Sequence, residues 1–408
     1  MQSIICCLIF LCWGIVNTTA QEISGSDAFL INTFNKQEVL SGEKEIIKLP
    51  NPQGPHLIGT VAYHWVDRSR DEIVTEEDHD FRQVIVQIFY PAILTKDTAP
   101  AAYFPELEWV RAGLKTLKGD IFRKIEKDFS RYNRVLTNSF PNANMDNVQK
   151  KYPLLIFGTG GNMSRHNYTA MMEELASQGY ITAVISHPYS SMDFFPSGGF
   201  QDDYPHWRLG EGATSEEREQ LEQKLTNYLA KDAIFVLDQM MRLNQNDPTD
   251  RFKGRIDSDR VAIMGHSRGG STVSRAASTD DRFKAVIIYD NIGSEPETTN
   301  GLSQPMMTMR APWSINRIKR LHTYLSANES FAWEVVIDSA THFTFSDMPI
   351  IDPENYESKG NPDQLSDSIM KYSIDFLNHS LYGHELEILT KNIKDHDGVS
   401  TKKFNDNN

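Results

Sequence analysis

Residues 261–270 read Val-Ala-Ile-Met-Gly-His-Ser-Arg-Gly-Gly, an apolar run that ends in Gly-x-Ser-x-Gly. The chemistry this pattern serves is nucleophilic. A strand that turns sharply into a helix exposes one hydroxyl at the tip of the corner, here that of Ser267. Gly265 and Gly269 leave room where the chain passes close to itself, and Gly270 lets the new helix approach the sheet. About one chain in seven of this length would carry the pattern by composition alone. The argument therefore rests on what accompanies it.

A serine hydroxyl attacks only when a base takes its proton, and the base needs a third group to fix its tautomer. Folds with this corner usually run serine, acid, histidine along the chain. The acid is expected just past the next strand, and the histidine in the loop after the last one. The apolar run 283–289 ends at Asp290, and the run 331–337 leads to His342, the sole histidine between Tyr324 and His379. Asp338 is a rival acid, and Asp347 a weaker one. His266 and His187 are expected to be structural, turned into the sheet or a loop.

The oxyanion of an acyl-transfer intermediate needs two N–H donors already aimed at it. One is expected from Arg268, at the helix start where backbone N–H groups have no intrahelical partner. The other is expected from the glycine-rich loop 158–162. A phosphate cradle is the competing reading of that loop, but no Lys-Ser/Thr follows it and no G-x-G-x-x-G fits.

Placing these groups requires alternating strands and helices. Strands are expected at 58–66 and 82–90, with Pro91 stopping the second, and at 152–157, 181–186, 261–264, 283–289, 305–309 and 331–337. Helices are expected at 169–178, from the capping box at Thr214 to about 243, and at 363–381. Residues 107–129 have helical apolar spacing with a face of Arg111, Lys115, Lys118, Arg123, Lys124 and Lys127. That face is read mainly as a domain edge, with contact at a lipid interface as the sharper alternative. The aromatic-rich stretch 189–212 reads as a lid or a substrate wall.

The 408 residues form one domain in this reading. It spans 49–389, with insertions at about 103–148 and 189–230. The class is α/β, a mostly parallel central sheet flanked by helices. A leader occupies 21–48 and a frayed tail 390–408. Net charge is −14, which argues against a nucleic-acid partner. Residues 1–20 hold no charged side chain and end in Thr-Thr-Ala, so they read as a signal peptide of an exported protein, secreted or periplasmic. All three cysteines lie in this segment, which removes cysteine nucleophiles and Cys-based zinc sites from the remainder. Asn162, Asn167, Asn328 and Asn378 fit the glycosylation pattern, which arises often by chance.

From 63 to 347 the chain resembles the platelet-activating-factor acetylhydrolase (lipoprotein-associated phospholipase A2) family of the α/β-hydrolase superfamily. The resemblance is carried by Val-Gln-Ile-Phe-Tyr-Pro at 86–91, Tyr-Pro-Leu-Leu-Ile-Phe at 152–157 and Glu-Leu-Ala-Ser-Gln-Gly-Tyr at 174–180. It continues in Ile-Ser-His at 185–187, the corner itself, the Asp290 slot, Gln-Pro at 304–305 and Thr-His-Phe-Thr-Phe-Ser-Asp at 341–347. It implies an α/β-hydrolase fold, Ser267 as nucleophile, Asp290 as acid, His342 as base and oxyanion donors at Gly161 and Arg268. Two positions depart from the family pattern. Its His-Gly-aliphatic-Gly loop stands here as Thr159-Gly160-Gly161-Asn162, and the commonly apolar residue after the serine is Arg268.

The expected protein is thus an exported serine esterase working through an acyl-enzyme, with no metal or cofactor. Its implied substrates are phospholipids with short or oxidised sn-2 acyl groups. A general carboxylesterase or polyester hydrolase, and a non-catalytic binding protein of the same fold, are the alternatives.

Overall fold

The computed structural model describes residues 46–75, 80–94, 99–105, 131–191, 212–292, 300–356, 358–390 and 398–405. It also describes the backbone at Thr19–Glu22, Ala28–Asn32, Asp193–Phe194 and Phe200–Gln201. The main strands are β1 (Thr19–Glu22), β2 (Ala28–Asn32), β3 (Leu57–Asp71), β4 (Phe81–Ile93), β5 (Tyr152–Gly158), β6 (Ile181–Ser186), β7 (Ile256–His266), β8 (Phe283–Tyr289), β9 (Met306–Arg310), β10 (Ala332–Ile337) and β11 (Val399–Phe404). Across one sheet they follow the order β1-β2-β3-β4-β6-β5-β7-β8-β9-β10-β11. All pairings from β6 to β10 are parallel. The flanking strands pair antiparallel.

Helices α1 (Thr169–Ser177), α2 (Ser215–Gln245), α3 (Arg268–Ala277), α4 (Ile315–Ala327), α5 (Met348–Ile351) and α6 (Pro362–Tyr382) complete the elements. Strand side chains alternate between two faces, so each strand feeds two cores. Leu154, Ile156, Val261, Ile263, Val286 and Ile288 pack with α2, α3 and α4 on one side. Their neighbours Leu155, Phe157, Ala262, Met264, Ala285 and Ile287 pack with α1 and α6 on the other. Strands buried on both faces read as continuous apolar runs, as parallel sheets require. The result is an α/β-hydrolase fold.

Several elements differ from the sequence expectation. Pro91 does not end β4, which runs on to Ile93. The Pro91 carbonyl accepts from the Asp146 N–H on one side of the strand. The N–H and C=O of a strand residue point the same way, so the donor that proline lacks falls on that side and not on the β3 ladder. The stretch expected as a leader carries β2, which pairs with β3, and the second half of β1, whose first two residues belong to the segment read as a signal peptide. The tail expected to fray carries β11, which pairs with β10 over its whole length. α4 was not expected at all. Part of the insertion placed at 189–230 is the first half of α2, whose Thr214 and Glu217 close the expected capping box.

The basic segment 107–129 and most of the segment read as a signal peptide lie outside the described residues. Of the stretch 189–212, a short antiparallel pairing of Asp193–Phe194 with Phe200–Gln201 is described, with 189–191 before it and Gly212 after it. Of the four glycosylation matches, Asn162 is exposed. Asn167 and Asn328 are buried, and Asn378 accepts a hydrogen bond from Tyr180.

Candidate active site

The corner is built where β7 ends at His266 and α3 begins at Arg268. Ser267, between them, has φ 54° and ψ −122°, a conformation that costs a non-glycine residue roughly 1–3 kcal/mol. The surroundings hold it there. Its N–H donates to the Tyr289 carbonyl at 2.9 Å, and its own carbonyl accepts from the Gly270 N–H and from the Asn291 amide. A Cβ on Gly265 would stand 2.4 Å from the Gly269 oxygen, and one on Gly269 would stand 2.1 Å from the Gly158 oxygen. The corner, the new helix and the end of β5 thus interlock through backbone alone.

His342 follows β10 and reaches across to both partners. Its Nε2 is 3.0 Å from Ser267 Oγ, and its Nδ1 is 2.6 Å from Asp290 Oδ2. A carboxylate fixes the imidazole tautomer, because Nδ1–H donates to it and leaves the Nε2 lone pair facing the hydroxyl. Asp290, just past β8, accepts at Oδ1 from the Ala311 N–H at 2.9 Å and Trp313 Nε1 at 2.8 Å. Burial alone would raise its pKa. The hydrogen bonds from His342 and Ala311, with the nearby charges of His342 and Arg317, outweigh burial and hold it below the usual carboxylate range. The rival acids stand elsewhere. Asp338 packs against Gly398. Asp347 is buried and accepts from Tyr103 and the Ala170 N–H, and burial raises its pKa.

Across the corner, the N–H groups of Gly161 and Arg268 make no hydrogen bond among the described residues. The loop that carries Gly161 is held from both sides. Gly160 N–H donates to the Tyr168 hydroxyl, and Asn162 N–H to the Ser190 carbonyl. Thr159 Oγ1 bonds the Ile185 carbonyl and Ser191 Oγ. Behind the Ser190–Ser191 turn, His187 bonds Asp232, which forms a fully buried ion pair with Arg82.

His266 is buried, as expected of a structural histidine, yet it faces the site. Its Nε2 is 2.9 Å from the backbone carbonyl of His342, an acceptor, so Nε2 carries the hydrogen. Its Nδ1 lies 3.0 Å from the Tyr168 hydroxyl. Burial first, and the neighbouring His342 second, push its pKa down to about 3. The ring is therefore neutral, and Nδ1 accepts from Tyr168.

The cleft above Ser267 has a volume of about 860 Å³. Its lining includes Gly161, Glu219, Glu222, Arg268, Arg317 and Arg320. The Arg268 guanidinium lies against Gly161, where an added Cβ would meet it at 2.6 Å, and donates to Ser190 Oγ at 3.2 Å. Among the described residues it has no carboxylate partner.

The structure thus brings Ser267, His342, Asp290, Gly161 and Arg268 to one place. It adds Tyr168, Ser190, Asn291, Trp313 and Arg317, none of which the sequence reading singled out. Trp313 and Arg317 belong to the β9–α4 connection and to α4, and an apolar spacing at 318, 321 and 325 was the available clue to that helix. Among the described residues no three His, Cys, Asp or Glu side chains group as a metal site needs.

The family model described as Platelet-activating factor acetylhydrolase, isoform II matches residues 41–196 and 221–396. A platelet-activating factor acetylhydrolase of Gallus gallus is 23% identical over 83% of this chain and 85% of its own length. A probable 1-alkyl-2-acetylglycerophosphocholine esterase of Arthroderma benhamiae is 24% identical over 74% of this chain and 77% of its own. The solved structure of a ferulic acid esterase from Streptomyces cinnamoneus superposes with a TM-score of 0.70 at 22% identity, covering 88% of this chain and 99% of that one.

Proposed function

This chain belongs to the platelet-activating factor acetylhydrolase, isoform II family and is a carboxylic ester hydrolase, and from that premise we propose that Ser267, His342 and Asp290 carry the reaction. The observation that supports this most is the single imidazole spanning Ser267 Oγ and the Asp290 carboxylate.

In this reading His342 Nε2 takes the Ser267 proton as Oγ attacks the ester carbonyl carbon. The carbonyl electron pair moves onto oxygen, which accepts from the N–H groups of Gly161 and Arg268. Collapse breaks the bond to the alcohol oxygen, which leaves with the proton from Nε2. Water, deprotonated by the same His342, then attacks the acyl-enzyme and releases the acid. The imidazolium formed twice in the cycle is stabilised by Asp290, which stays ionised throughout.

The substrate in this proposal is a phospholipid with a short or oxidised acyl group at sn-2. The reading includes export under a signal peptide at 1–20, and contact of the basic face of 107–129 with a lipid interface. A fluorophosphonate probe tests the core of it. Labelling of folded wild-type protein, lost in Ser267→Ala and strongly slowed in His342→Ala, is expected. Absence of Ser267 labelling overturns the assignment. Turnover of a 2-acetyl ether phospholipid tests the substrate, a mature N-terminus at Gln21 tests the export, and liposome co-sedimentation weakened by Lys115→Glu, Lys118→Glu and Lys124→Glu tests the interface.

A further inference from the structure

We propose that Arg268, Arg317 and Arg320 make the cleft beside Ser267 a subsite for an anionic group of the ester substrate, a phosphodiester or a carboxylate. The proposal rests on the ester-hydrolase reading and names the feature of the substrate that this chain selects.

The chain carries a net charge of −14, yet its cleft is lined by three arginines against the two carboxylates of Glu219 and Glu222. Neither Arg268 nor Arg320 has a carboxylate partner among the described residues. Arg268 is tied to a neutral hydroxyl, that of Ser190. Arg317 lies 3.6 Å over the Trp313 ring and donates Nη2–H to the Asp290 backbone carbonyl at 3.1 Å. The Asp290 carboxylate nearby is engaged by His342, Ala311 and Trp313. Burial lowers the Arg317 pKa, and Arg310 and Arg320 push the same way, against the pull of Asp290.

Cations that outnumber the carboxylates lining a cleft leave a positive excess there, which an arriving anion relieves. The planar fork of arginine suits the paired oxygens of a carboxylate or phosphate, and a stacked guanidinium is already oriented. Trp313 fixes Arg317 and the Ser190 hydroxyl holds Arg268, so ordering costs on binding are small. Glu219 and Glu222, from α2, disfavour an anion on their side and direct it to the arginines.

The test compares kcat/KM for two matched pairs of esters at low and high ionic strength. The first pair is triacetin against an acetyl ester of a glycerol phosphodiester, and the second is p-nitrophenyl acetate against p-nitrophenyl hemisuccinate. The wild type is expected to favour the anionic member of at least one pair and to lose that preference with salt. Which pair does so distinguishes phosphodiester from carboxylate. Arg320→Leu and Arg268→Leu are each expected to lower the anionic-to-neutral ratio about tenfold, the scale of one charge-assisted contact. Arg268→Lys is expected to restore part of it. An equal fall on both members of each pair would assign the Arg268 charge to the oxyanion and overturn the proposal. So would a ratio near one that ignores salt.

A second measurement is independent of turnover. Ser267→Ala protein is titrated with a non-hydrolysable glycerol phosphodiester and with succinate. Binding of either, weakened about tenfold by Arg320→Leu, supports the subsite even where every ester assay fails and the hydrolase reading falls. Binding of neither, in protein that still turns over esters as wild type, sinks the subsite alone.

Discussion

His266 donates its Nε2 hydrogen to the backbone carbonyl of His342 across 2.9 Å, so the residue before Ser267 holds the backbone of the proposed base. The same ring accepts from Tyr168, whose hydroxyl receives the Gly160 N–H. One directed chain of hydrogen bonds therefore links the loop of Gly160 and Gly161 to the loop of His342. Tyr168→Phe keeps the ring and deletes the link, and is expected to lower kcat roughly tenfold, about 1–2 kcal/mol, with KM nearly unchanged. His266→Gln is expected to do the same, and the double variant to lose little more than either alone. Steady-state kinetics on one chromogenic ester measures all three. Additive losses would show that the two side chains act separately.

Asp290→Asn keeps the shape of the acid but lets the amide turn its nitrogen toward His342, which favours the wrong tautomer. A fall in kcat of roughly 10³–10⁴-fold is expected, with the far-ultraviolet spectrum unchanged. Trp313→Phe removes one donor from Oδ1 and leaves the Ala311 N–H in place. Its loss should be about tenfold, read in the same assay.

Glu173 is fully buried in α1, where its carboxylate accepts from the N–H and the side-chain amide of Asn138. Burial raises its pKa to about 7, from the model-compound value of 4.5. The folded state therefore keeps its proton over a range where the unfolded state has lost it. Below about pH 4.5 the group costs nothing. As pH rises toward 7 stability falls by about 3 kcal/mol, and above that the cost is constant. Glu173→Gln removes the charge, so its melting temperature should gain on the wild type progressively from pH 5 to pH 8. A constant difference across that range would contradict this.

Arg82 and Asp232 pair at 2.6 Å with both side chains fully buried, and His187 completes the cluster behind the Ser190–Ser191 turn. Asp232→Ala leaves the Arg82 guanidinium buried with Glu72 as its ionic partner and the Pro188 carbonyl as a neutral one. A loss of about 3–5 kcal/mol is expected in denaturant titration. Because that turn supports Asn162, fluorophosphonate labelling of the still-folded fraction should also slow.

The central sheet was legible because its strands are buried on both faces. Runs such as 283–289 contain little but apolar and β-branched residues, and no competing helix period. The corner was legible for the opposite reason, that its glycines and serine serve contacts nothing else would require. What escaped was non-local. Nothing near Pro91 says that its missing donor falls outside the ladder. Nothing near Val399 says that β10 lacks an outer neighbour until this segment arrives. His266 looked structural because its burial follows from the strand, while its partners, Tyr168 and the His342 carbonyl, are set by the packing of two distant loops.

β11 has a consequence for the order in which the protein can be made. β10 leads to the loop of His342, and among the described residues its outer edge is covered by β11 alone. During synthesis the other described elements leave the ribosome before β11, with β10 meanwhile exposing a row of unpaired donors and acceptors to any neighbouring nascent chain. The strand that leads to the His342 loop is therefore the last of the described sheet to gain its neighbour.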